Sequence, residues 1–93
     1  MNVSVFIVVS TRTPCDGLKR QIELSIQEGK FHELNETAWM VEYEGTTRDL
    51  AQKLEIMSGA NGPAVVYLIS NYSGRASPFI WEWLQARPSA RSE

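Results

Sequence analysis

An apolar run from Val3 to Val9 is followed by a stretch of helical periodicity. A second run, Trp39 to Tyr43, leads into another such stretch, and a third run, Ala64 to Ile69, follows that. Strand and helix patterns alternating inside 93 residues point to one small sheet covered on one face by helices. The length leaves no room for two cores, so residues 1–87 are expected to form a single domain. An apolar fraction of 43% with three Trp argues for a packed core rather than disorder. Only Pro88 to Glu93, rich in Ser and Ala, reads as a disordered tail.

The first run has mostly apolar faces on both sides: Val3, Val5, Ile7 and Val9 on one, Ser4, Phe6 and Val8 on the other. That suits a central strand. Thr13 as N-cap, Pro14 at the first helical position and Asp16 near the start predict a helix. Leu18, Ile22 and Ile26 form its apolar stripe and Gly29 its stop. A short strand over Lys30 to Leu34, a tight connection at Asn35-Glu36 and a strand over Thr37 to Glu44 follow. In the latter, Trp39, Val41 and Tyr43 share a face.

Thr46 with Asp49 three residues later marks the next helix, with Leu50, Leu54 and Met57 expected to be buried. A breaker cluster at Ser58 to Pro63 precedes a strand over Ala64 to Ser70. Asn71 to Ala76 reads as a loop. Ser77-Pro78 then opens a helix running to about Ala86, with Phe79, Ile80, Trp83 and Leu84 inward and Trp81 outward. The order βαββαβ plus a terminal helix predicts an α+β fold, a ferredoxin-like plait with an additional C-terminal helix. In that plait the last strand lies at an edge. Ala64 to Ile69 is an apolar edge that needs cover, from the terminal helix or from a second copy.

The segment Glu36-Thr37-Ala38-Trp39-Met40-Val41-Glu42-Tyr43, then Thr46-Thr47-Arg48-Asp49-Leu50 with Lys53-Leu54, then Val65 to Ile69, resembles the small CRISPR adaptation protein, the Cas-two family. It is also similar to the virulence-associated protein D toxins. The resemblance runs from Met1 to about Trp83 in element order. It implies a ferredoxin-like homodimer that scaffolds duplex DNA or, in toxin-like members, cleaves phosphodiesters with a metal. The cleaving members carry an aspartate at the end of strand one. Here that position reads Val9-Ser10-Thr11-Arg12, and neutral hydroxyls are poor sole ligands for a hard divalent ion. A binding-only relative is therefore expected, with no metal and no cofactor.

Two loops are candidate contacts for an anion or nucleic acid. Ser10, Thr11, Arg12 and Thr13 precede a helix N-terminus, where hydroxyls, a guanidinium and free N–H groups can hold a phosphate; ordinary capping accounts for the same residues. Tyr72 and Arg75 offer a stacking ring and a cation, or else lie in a plain connector. Cys15 lies at a helix start but needs a positioned base, and His32, the only histidine, is expected on the far side of the plait. Val65, Tyr67 and Ile69 on the edge strand, with Trp81, form a candidate protein interface.

The net charge of −2 argues against a generic nucleic-acid coat. The single cysteine allows no internal disulfide, in keeping with a cytoplasmic location. No apolar run approaches the length of a membrane span. The opening run has no basic region before it and no small-residue cleavage site after it, so it reads as a strand rather than a signal peptide. The leading expectation is a non-catalytic Cas-two-like binding or assembly module, a homodimer, with nucleic acid or another protein as partner. A metal-dependent endoribonuclease using Asp16 or Glu44, and a small regulatory interaction protein, are the alternatives.

Overall fold

The computed structural model describes residues 3–87, 89, 91 and 92. The elements are β1 (Val3–Ser10), α1 (Asp16–Ser25), β2 (Phe31–Asn35), β3 (Ala38–Glu44), α2 (Thr47–Lys53) and β4 (Ala64–Ile69). After them come β5 (Asn71–Tyr72), α3 (Pro78–Gln85) and β6 (Arg91–Ser92). The main sheet has the order β2-β3-β1-β4 with every neighbouring pair antiparallel. This is the ferredoxin-like plait: α1 carries the chain from β1 past β3 to β2, and α2 carries it from β3 past β1 to β4. The end of β1 lies beside the starts of β3 and β4, with Val9 opposite Ala38 and Ser10 opposite Ala64.

Strand alternation divides the apolar residues between two sides. Phe6, Val8, Trp39 and Val41 face α1 and α2, where they are buried with Leu18, Ile22, Ile26, Leu50 and Leu54. Val5 and Met40 face the other way and are buried with Leu84 of α3, flanked by Ile7, Leu34, Ile69, Ile80 and Trp83. Helices therefore lie on both faces, not on one as the periodicity suggested. Of the two covers considered for the β4 edge, the terminal helix does not supply one. α3 lies across the sheet's second face and reaches β2, because its apolar residues match the face left bare by α1 and α2.

Local signals place α2 and α3 well and α1 less so. Thr46 caps α2: its hydroxyl accepts the Asp49 N–H at 3.1 Å, while Asp49 Oδ2 accepts the Thr46 N–H at 2.9 Å. Gly45 takes φ +146°, and a Cβ there would stand 2.9 Å from the Tyr43 ring and 3.0 Å from Asp49 Oδ2, so the turn needs glycine. Ser77 caps α3 by accepting the Phe79 N–H, with Pro78 at its start.

In α1 the cap is Cys15 rather than Thr13, and it makes no side-chain cap bond because its thiol points to the Glu36 carbonyl. Gly29 is not the helix stop. The helix ends at Ser25, and Gly29 sits at φ +90° in the following turn, where the Lys30 N–H donates to the Gln27 carbonyl. Met57 is exposed rather than buried, since α2 ends at Lys53 and the chain leaves the helical path before reaching it. Asn71–Tyr72, expected as loop, pairs in parallel with Arg91–Ser92. Of the tail expected to be disordered, residues 88, 90 and 93 lie outside the described residues.

The capping box yields a pH prediction. Asp49 is held below the ordinary carboxylate range, chiefly by the Thr46 backbone N–H and then by the Thr46 side chain. A depressed carboxyl contributes stability above its unfolded pKa and loses it as pH falls through the folded value. Urea unfolding should therefore show the Asp49→Ala penalty in full at neutral pH. The gap between the two chains should narrow once pH drops below about 4, where the unfolded carboxylate protonates.

Candidate interaction surface

The β1–α1 loop uses most of its hydroxyls internally. Ser10 is buried, and its Oγ donates to the Arg12 carbonyl at 2.7 Å while lying 3.3 Å from the Arg12 N–H. The Thr11 N–H and hydroxyl both turn to the Pro63 carbonyl, at 3.1 and 3.3 Å. Thr13 borders a hollow of about 160 Å³ shared with Cys15, Asp16, Lys19, Glu33 and Glu36. Three carboxylates against one ammonium disfavour an anion there, and Lys19 already lies 3.6 Å from Glu33. Arg12 is exposed, with its guanidinium beside Gly62.

The other candidates lie elsewhere. Arg75 is exposed in the segment between β5 and α3, whereas Arg12 follows β1 beside the start of β4, so the two lie in different loops. Tyr72 stacks on Trp81 with centroids 5.7 Å apart and planes at 18°, which occupies the ring that sequence reasoning offered to a base. The same contact corrects the expectation of an outward Trp81: it is half-buried against Tyr72. Phe79, expected inward, is instead 70% exposed, because α3 meets the sheet through Ile80, Trp83 and Leu84.

Cys15 and His32 do not meet. The thiol points to Glu36 and the residue packs on the α1–α2 side, whereas the His32 ring lies 6.3 Å from Trp83 on the other. Asp16 and Glu44 are likewise apart: Glu44 pairs with Val3 at the start of β1, and Asp16 follows that strand's end. Among the described residues no three His, Cys, Asp or Glu cluster as a metal site.

An anchor for α3 went unseen in the sequence. The Arg87 guanidinium lies 3.5 Å over the Trp83 ring and donates to the Trp83 carbonyl at 2.7 Å and the Gly29 carbonyl at 2.6 Å. Its Nε lies 3.2 Å from Glu42, as an ion pair rather than an aligned hydrogen bond. Glu42 also takes Lys30 at 3.1 Å, and Trp83 Nε1 donates to Gly29. Two signals were available: an acid breaking the apolar alternation of a central strand, and Trp-x-x-x-Arg spacing on one helix face.

What stays open to solvent is β4. Val65, Tyr67 and Leu68 are 40%, 55% and 58% exposed. Leu68 was not among the expected interface residues, and Ile69, which was, is half-buried against the Val5–Met40–Leu84 cluster. Two bonds set the phase of the strand. Thr11 N–H to the Pro63 carbonyl and Ser10 N–H to the Thr37 carbonyl turn odd-numbered β1 residues toward β4 and even-numbered ones toward β3. Val65, Tyr67 and Ile69 thus spend their backbone groups on β1, while those of Ala64, Val66 and Leu68 point outward. Among the described residues no strand pairs with that outer row.

The two sheet edges differ. β2 has a register irregularity between Glu33 and Asn35, carries His32 and Glu33, and is overlaid by α3. β4 pairs with β1 through six successive residues without a bulge and holds no charge and no proline. Bulges and charges are what normally blunt an edge. No family model, no curated protein and no solved structure matches the chain.

Proposed function

We propose that this chain is a non-catalytic binding and assembly module of the Cas-two-like kind, working through the β4 edge of its sheet. The observation that carries the reading is the unguarded outer row of β4 with Val65, Tyr67 and Leu68 exposed around it. Each unpaired backbone group on such an edge gains a hydrogen bond when another strand is added, and the apolar side chains gain burial. The missing strand-one acid and the separation of Asp16 from Glu44 support a role in binding over phosphodiester cleavage. The split of Arg12 from Arg75 favours protein association over a continuous nucleic-acid track.

The test combines sedimentation velocity with an assay on labelled RNA and duplex DNA at low salt, with and without manganese. The expected outcome is concentration-dependent assembly of the 10.5 kDa chain, abolished by Tyr67→Lys, with both probes intact. Tyr67 is exposed enough that the lysine does not disturb the core. Manganese-dependent cleavage would overturn the non-catalytic reading. A wild-type chain that stays monomeric at every concentration would overturn the assembly reading.

A further inference from the structure

We infer that the hollow between α2 and β4 binds a small amphiphilic carboxylate, a short apolar tail with one carboxylate head. The hollow measures about 250 Å³, and Ala51, Ile56, Met57, Ala64 and Val66 line it, with Arg48 at its border. Ile56, Ala64 and Val66 pack on the cluster beneath α1 and α2, so the floor of the hollow is fixed to the core. Met57 is exposed, and its unbranched thioether can fold over an apolar tail. The floor belongs to the helical side of β4 rather than to its outward backbone row, so the inference goes beyond the assembly reading and does not depend on it.

Charge selects the head group. Arg48 is exposed and, among the described residues, has no carboxylate within ion-pair distance. Thr47 supplies the only other polar side chain around the hollow among those residues. A guanidinium beside apolar walls repels a cation, offers two parallel N–H donors to a carboxylate, and leaves the walls to a neutral tail. Three other hollows lack this combination. The one beside Cys15 holds three carboxylates, and the one beside Tyr43 sets Glu42 and Glu44 against Lys30 and Lys53. In the one beside Ala86, Arg87 is already committed to Glu42. The volume lies below the usual range for drug-sized ligands, which keeps the tail short.

Octanoate is the probe, titrated into the isotope-labelled full chain and followed by backbone amide shifts. The Ala51, Ile56, Ala64 and Val66 amides should move together and saturate with a Kd of about 1 mM. Octanol and acetate, which each carry half of the ligand, should bind about tenfold more weakly or worse. Between hexanoate and octanoate, each added CH₂ should tighten binding about fourfold. Arg48→Ala should weaken octanoate about tenfold, and Arg48→Lys should recover part of the loss. Arg48 is exposed, so the amides of β2 and β3 should keep their positions in both variants and report an intact fold. Octanol binding as well as octanoate would overturn the role of Arg48. Acetate binding as well as octanoate would show an anion on a surface cation and overturn the apolar half of the site. Saturation of the same amides by a short acidic apolar peptide but not by octanoate would overturn the small-molecule occupant. Shifts confined to other elements, or no saturable shift, would overturn the site and leave the assembly reading standing.

Discussion

Trp39→Ala should cost about 3–5 kcal/mol and leave much of the population unfolded, since a domain of this kind has about 5–15 kcal/mol in total. Trp39 lies on the central strand β3, is essentially inaccessible, and is the largest of the fully buried side chains. It shares a cluster with Phe6 and Val8 of β1, Leu18 and Ile22 of α1, and Leu50 and Leu54 of α2. Truncation leaves a void bordered by both helices and two strands, and none of these can close it without breaking contacts with the others. Equilibrium urea unfolding measures the loss. Phe79→Ala is the matched comparison: Phe79 is the same class of residue but largely exposed, so its loss should stay within about 0.5 kcal/mol. Comparable penalties at the two positions would show that the cluster around Trp39 does not hold the fold.

Arg87→Ala should be the second most damaging change, at about 2–4 kcal/mol, and its effect should be local to α3. One guanidinium holds two carbonyls, the Trp83 ring and the Glu42 carboxylate. Removing it leaves Glu42, whose side chain is only 13% exposed, with Lys30 alone. Arg87→Lys should recover little, because an ammonium cannot lie flat on the indole while reaching both carbonyls. Hydrogen exchange separates this from general destabilisation. The amides of α3 should lose protection before those of β1 and β3, and Trp83 emission should shift to the red. Uniform loss across all elements would show that Arg87 does not act as a separate latch.

The plait was legible because each of its signals is short-range. Period-two apolar runs mark β1, β3 and β4, and the Thr46–Asp49 and Ser77–Pro78 pairs place the starts of α2 and α3 to the residue. Errors arose where a local preference lost to a long-range contact. Thr13-Pro14 is a sound helix opening, yet α1 begins later, with the Cys15 thiol directed to Glu36 in the hairpin. Gly29 reads as a helix stop, but its main use is its carbonyl, which receives both Trp83 and Arg87 from the other end of the chain. The candidate interface was half legible. Val65 and Tyr67 follow from edge position, whereas Ile69 and Trp81 were withdrawn from solvent by α3 and Tyr72.

By itself the sequence determined the element order, the two faces of each strand and hence the plait, because alternation and capping act over a few residues. Only the tertiary structure decided which face α3 covers, and with it which edge stays open. That choice depends on matching one helix face to a whole sheet face and on an anchor joining Arg87 to Glu42 and Gly29, residues far apart in the chain. Local pattern carries no record of such pairings; they form only when packing brings the segments together.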